Sequence, residues 1–271
     1  MAITLPTQKV NAITGNPKTL VIFSKPKVGK TTLLSQLDNC LIIDTENGSD
    51  YVSALKVKVH SVDELRELCT EIIKAGKPYK YIAIDTLTSL EEMCKPYAEQ
   101  LYMSTSMGKT WIVYKEDENG KKVIDIEKSQ KPKIGDILNL AQGGGYLYLR
   151  KAVTTCLGWL KMACDNNILV CHLKEKLWND NGLERSSNDL QLTGLIKSIV
   201  TRTCDSIGYM HRVGKKNMIS FVMTDDEGSG SRIEHLSNKD IFISEFDDQG
   251  NYITHWDLIY KPELENLNNN N

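Results

Sequence analysis

No stretch of the 271-residue chain approaches the ~18 consecutive apolar residues of a membrane-spanning helix. The opening MAITLPTQKVNAITGNPKT contains no apolar segment of the signal-peptide kind. A cytoplasmic setting is the resulting expectation. The seven cysteines are scattered and none forms a C-x-x-C pair, which argues against a zinc site and against a disulfide framework. Reduced, buried thiols are expected instead. Arginine is scarce in the middle of the chain, where only Arg150 and Arg185 stand between Arg66 and Arg202. No internal repeat is present. The net charge is only −2, but from Asp225 onward there are eleven acidic and three basic residues, which leaves thirty basic and twenty-four acidic residues before that point. A basic body can attract polyanions, and an acidic end can shield that surface or meet a basic partner.

The first hundred residues alternate short β-branched runs with helix-like stretches. Thr19–Phe23, Cys40–Ile43 and Tyr81–Ile84 read as strands. Thr31–Leu37, Val62–Ala75 and Leu87–Leu101 read as helices, the second closed by Gly76 and Pro78. Such alternation implies a parallel sheet with crossover helices. TWIVYKEDENGKKVIDIEK then reads as a hairpin turning at Asn119-Gly120, and KPKIGDILNLAQGGG as a loop with a short helix. A strong helix is expected over Tyr146–Cys164, a buried strand over Ile168–Leu173, and further strands over Ser206–Arg212 and Met218–Met223. IFISEFDDQGNYITHW reads as a second hairpin. The expected organisation is an α/β core over 1–224 with a hairpin and loop insertion at about 105–145, an acidic β element over 225–265 and a disordered tail at 266–271.

VIFSKPKVGKTTLL, residues 21–34, carries the chemistry. From Ser24 to Thr31 its spacing is S-x-x-x-x-G-K-T, a phosphate-binding loop with serine in place of the first glycine. A strand precedes it and a helix follows. Ser24, Lys25, Pro26, Lys27, Val28, Gly29, Lys30, Thr31 and Thr32 are the expected nucleotide-binding residues. Backbone N–H groups of such a loop wrap a phosphate, and Gly29 lets the backbone approach without a Cβ. Lys30 would reach the β- and γ-phosphates, and Thr31 would offer its hydroxyl to Mg²⁺. The apolar strand of YKYIAIDTLTSL ends in Asp85, placed to hold the metal through water. LIIDTENGSD is another strand ending in acidic residues, Asp44 and Glu46. Glu46 can orient a water at the terminal phosphate.

Together these three pieces resemble the RecA-like P-loop ATPases, and among them small phage-encoded proteins associated with single-strand annealing. LVCHLKEK and CDSIGYMHR match further stretches of those chains. The resemblance implies a RecA-like fold, ATP and Mg²⁺ as cofactors, Glu46 as catalytic base and His172 as a sensor of nucleotide state. It also implies single-stranded DNA as a partner, assembly into a ring or filament, a single-strand-binding or annealing protein as a further partner, and the host cytoplasm as the location. Two loops are candidates for DNA: QGGGYLYLRK with Tyr146, Tyr148 and Arg150, and LKEKLWNDNGLERSSND with Lys174, Lys176 and Arg185. Arg232, in GSGSRIEHL, is a candidate arginine finger, with Lys174 and Lys176 as alternatives. Two other readings stay open: a P-loop kinase, against which the scarcity of arginine for a lid speaks, and a non-hydrolysing nucleotide-gated module, which Ser24 favours.

Overall fold

The computed structural model describes residues 5, 7–9, 12–109, 114–125, 137–140, 143–180, 183–224 and 228–265. The proposed tail at 266–271 and parts of the 105–145 insertion lie outside the described residues. The apolar runs form the strands that their composition predicts: β1 (Thr19–Ser24), β2 (Cys40–Asp44) and, after a short edge strand β3 (Leu55–Lys58), β4 (Tyr81–Asp85). Every residue of β1, β2 and β4 is buried, as expected of strands covered on both faces.

The helices between them start and stop on local signals. α1 (Lys30–Ser35) follows the glycine-containing loop. α2 (Val62–Lys74) is capped by Ser61, whose Oγ accepts the Glu64 N–H at 3.2 Å, while Glu64 Oε2 reaches back to accept the N–H of His60, one residue before the cap, at 2.8 Å. It ends before Gly76, whose φ of +79° only glycine adopts readily. α3 (Leu87–Met103) is capped by Thr86, and the one-turn α4 (Ser106–Lys109) follows. The predicted first hairpin is a separate two-stranded sheet, β5 (Tyr114–Glu116) with β6 (Lys122–Ile124), whose turn is tied by Asp117 Oδ1 to the N–H groups of Asn119 and Lys121.

α5 (Gly144–Ala163) starts two residues earlier than its periodicity indicates. β7 (Asn167–Asp180) then runs far past the expected Leu173 and folds back as β8 (Leu183–Leu190). This corrects the sequence reading: the stretch around Lys174, Lys176 and Arg185 is an antiparallel ribbon rather than a loop, with Lys174 opposite Asp189, Lys176 opposite Ser187 and Arg185 opposite Trp178. The Asn181-Gly182 pair is the hairpin signal in that stretch. The chain continues through α6 (Gly194–Thr203), β9 (Ser206–Val213), β10 (Lys216–Ser220), the short β11 (Gly230–Ser231), β12 (Asp240–Phe246), β13 (Tyr252–Thr254) and α7 (Pro262–Glu265).

The main sheet runs β13-β12-β10-β9-β1-β7-β4-β2-β3. Its centre is parallel from β9 through β3, and β10, β12 and β13 extend it antiparallel. One face packs against α2, α3, α5 and α6, the other against α1 and the C-terminal Trp256, Ile259 and Tyr260. This is the expected α/β phosphate-loop core, mostly parallel and flanked by helices. Among the described residues no helix is long and apolar enough to cross a membrane. The seven cysteines are free and buried.

Candidate functional site

Parallel strands put their C-terminal ends on one rim, and open α/β sheets bind ligands there. Register fixes who meets whom: Ser24 lies beside His172 across β1 and β7, and Asp44 lies beside Asp85 across β2 and β4.

The phosphate-type loop occupies the middle of that rim. Gly29 takes φ +105°, a conformation that strains any residue with a Cβ. Lys30 is only 8% exposed, and its ammonium donates to Ser24 Oγ at 2.9 Å and to the Lys25 carbonyl at 3.2 Å. Among the described residues no carboxylate pairs with it. Burial pulls its pKa down, partly offset by the fields of Asp85 and Glu46. A buried ammonium held by neutral oxygens is what a phosphate would need. Ser24 is fully buried, and its hydroxyl donates to the Lys25 carbonyl at 2.8 Å while accepting from Lys30. The residue that departs from the loop pattern thus aims the lysine. Lys25 is exposed and forms an ion pair with Glu175 at 2.5 Å.

Thr31 Oγ1 donates to Asp85 Oδ2 at 2.6 Å. Burial raises the Asp85 pKa, with the fields of Glu46 and Asp44 adding to the rise, and the Thr31 hydrogen bond and Lys30 opposing it. A hydroxyl beside a buried carboxylate is an oxygen donor set suited to Mg²⁺, a cation that keeps most of its waters. The residues therefore fit a phosphate and its metal.

Glu46 stands on the neighbouring turn. Its Oε1 accepts from Thr86 Oγ1 at 2.5 Å and meets His172 Nε2 at 2.8 Å. Asp44, by contrast, shapes that turn. It takes the N–H groups of Glu46, Gly48 and Ser49 and the Ser49 hydroxyl at 2.6–3.3 Å. Burial pushes its pKa up, but these hydrogen bonds outweigh it and hold the carboxyl below its usual range. The two acidic residues of the D-x-E stretch thus divide into a turn anchor and a rim-facing carboxylate. Thr86 was missed in the sequence, although it directly follows the strand-final Asp85. It caps α3 by accepting the Ser89 N–H at 3.2 Å and also holds Glu46. Thr88 was missed as well: its hydroxyl accepts the His172 N–H at 3.1 Å and donates to the Gln191 carbonyl at 3.2 Å.

Lys30, Thr31, Glu46, Asp85 and His172 are therefore brought together. Arg232 is not. It follows β11, which pairs with the start of β9 on the opposite rim, and its guanidinium donates to the Arg202 carbonyl at 2.7 Å. Tyr148 packs edge-on against Tyr102 with ring centroids 5.3 Å apart, so its ring is a packing element. Tyr146 remains 49% exposed and shares a shallow 390 Å³ depression with Arg150 and the start of α6.

A family model described as an AAA domain matches residues 16–116, the segment holding the loop, Glu46 and Asp85. No curated protein matches the chain. Among solved structures, the chain is similar to the RadB recombinase at 10% identity and a TM-score of 0.40, covering 87% of this chain and 90% of that one. A KaiC-like protein from Pyrococcus horikoshii OT3 is similar at 11% identity and a TM-score of 0.40, covering 92% of this chain and 100% of that one. An ATPase from the type III secretion system of pathogenic bacteria matches at 13% identity and a TM-score of 0.38, covering 73% of this chain and 53% of that one. The loop, the rim and the family match together support a nucleotide-binding domain of ATPase type.

Proposed function

We propose that this chain is a Mg²⁺-dependent ATPase of RecA-like type that acts with single-stranded DNA in recombination, annealing or repair, in the manner of the phage-encoded proteins its sequence resembles. One observation carries the reading: a buried lysine that no carboxylate pairs among the described residues, a threonine–aspartate pair and a glutamate–histidine pair share one rim. Lys30 holds the terminal phosphates, and Thr31 and Asp85 hold the metal, which when bound neutralises phosphate charge. Glu46 orients the attacking water and takes its proton, while Thr86 and His172 fix that carboxylate through Oε1. His172 joins the carboxylate to the base of the β7–β8 ribbon, which fits a sensor. Arg232, on the far rim, serves a neighbouring copy's site in a ring or filament. Tyr146 and Arg150 offer DNA a stacking face and a cation, and Lys174, Lys176 and Arg185 on the ribbon add charge. A single-strand-binding or annealing protein is the further partner that fits this role.

Steady-state ATP hydrolysis by the purified protein, with and without single-stranded DNA, tests the reading. Turnover stimulated by the DNA is expected. Stimulation by a nucleoside monophosphate instead would make the chain a kinase, and binding without turnover would make it a nucleotide-gated module.

A further inference from the structure

Strands β12 and β13 of the acidic C-terminal element have no role in the chemistry above, yet they reach the same rim. β10, β12 and β13 continue the sheet on the side of β1 away from Asp85 and Glu46. Because those carboxylates lie toward β4 and β2, a terminal phosphate would point that way and the rest of a nucleotide would leave in the other direction. It would then pass over β9 toward β10 and β12, two and three strands from β1, or roughly 10 and 14 Å at the usual strand spacing.

A polar and aromatic cluster stands there. Asn217, at the start of β10, abuts the loop: a Cβ on Gly29 would lie 3.8 Å from its Nδ2. That Nδ2 donates to Ser244 Oγ at 3.0 Å, and Tyr252 donates its hydroxyl to the same oxygen at 2.8 Å. Asn217 is 5% exposed, and its buried Oδ1 has no hydrogen-bond partner among the described residues. An unpaired buried amide oxygen is costly, and a ligand hydroxyl would relieve it once the side chain turns toward the rim. A β-bulge between Asn217 and Met218 brings Asn217 opposite Ser244. Beyond them Phe246 is 54% exposed and lies 5.2 Å, ring to ring, from Tyr252. A large exposed aromatic on a rim that otherwise handles charge is a stacking face in want of a planar partner.

We propose that the nucleoside half of the bound nucleotide lies on this rim of β10, β12 and β13, with its sugar hydroxyls toward Asn217 Oδ1 and its base against Phe246. The proposal rests on the phosphate-loop reading above and assigns the C-terminal element to the same site. Its bland rival is that the cluster only fastens the β12–β13 hairpin.

Calorimetric titration with ATP and with inorganic tripolyphosphate separates the two. Tripolyphosphate reports the loop alone, whereas ATP reports loop and nucleoside wall together. Phe246→Ala is expected to weaken ATP about five- to fiftyfold while leaving tripolyphosphate unchanged. Phe246→Trp keeps the stacking face and should restore ATP affinity. Unchanged ATP affinity in Phe246→Ala overturns the proposal, as does equal weakening of both ligands. A wild-type protein that binds neither ligand takes the phosphate-loop reading down first and this one with it. A wild type that binds both equally well defeats the nucleoside wall alone.

Discussion

Ser24 sits where phosphate loops of this spacing usually open with glycine, and its hydroxyl holds the Lys30 ammonium. Removing the lysine is the sharper test. Lys30→Ala should abolish nucleotide binding, read by titration. Glu46→Gln should bind ATP as the wild type does and stop turnover, because the amide still accepts from Thr86 but cannot take a proton. Normal hydrolysis by Glu46→Gln would remove that role. Asp85 carries a pH signature. Its folded pKa is raised above the ordinary value of 3.8, mainly by burial. The folded state therefore holds its proton more tightly than the unfolded chain. The stability this contributes is present below pH 3.8 and is lost as pH rises through the folded value. Asp85→Asn should thus flatten the fall of stability across that window and raise the melting temperature of the nucleotide-free protein at neutral pH, by about 2–4 °C for each kcal/mol gained. The same substitution should weaken magnesium-dependent ATP binding. A lower melting temperature would contradict the account of the buried carboxylate.

Among the elements that carry the site, α1 is a helix of only six residues. Isolated helices that short do not persist in water, so tertiary packing holds it. Leu33 and Leu34 face the sheet, and the Trp256 indole N–H donates to the Leu33 carbonyl at 3.0 Å. The C-terminal segment thus locks the helix that carries Lys30 and Thr31. Trp256→Ala should cost about 3–5 kcal/mol in urea unfolding and lower nucleotide affinity together with stability. A variant as stable as the wild type would mean that the clamp contributes nothing. The ribbon is the second element of interest. Lys25 on the phosphate loop meets Glu175 on β7, and Thr88 on α3 ties His172 to Gln191, so loop, glutamate and ribbon base are mechanically joined.

For the whole molecule the decisive geometry is that Arg232 and the phosphate loop lie on opposite rims. An arginine so placed reaches a phosphate only in a second copy. If it does, Arg232→Ala and Glu46→Gln should each abolish turnover alone, and mixing them should restore part of it. Sites that pair an intact Glu46 with a neighbour's intact Arg232 then reappear. No recovery on mixing, in a preparation shown to assemble, would exclude the finger. The single-strand binding proposed for Arg150 and the ribbon lysines should fall steeply as salt rises.

The apolar runs of β1, β2, β4 and the first half of β7 were legible because strands buried on both faces must be apolar, and their alternation with helices left only a parallel sheet. That alone placed Lys30, Glu46 and Asp85 on one rim, since parallel strands end on the same side, and the family resemblance added His172. The sequence by itself therefore determined the parallel core strands and the convergence of the phosphate loop with the strand-end carboxylates. Contacts across large separations were decided only by the tertiary structure: Glu46 meets His172 across 126 positions, and Trp256 meets Leu33 across 223. So were the ribbon in place of a loop, the remoteness of Arg232, and the arrival of β10 beside Gly29. The physical reason is that periodicity reports which face of an element is buried, whereas strand order and register, which choose the neighbour, follow from the summed packing of the whole chain.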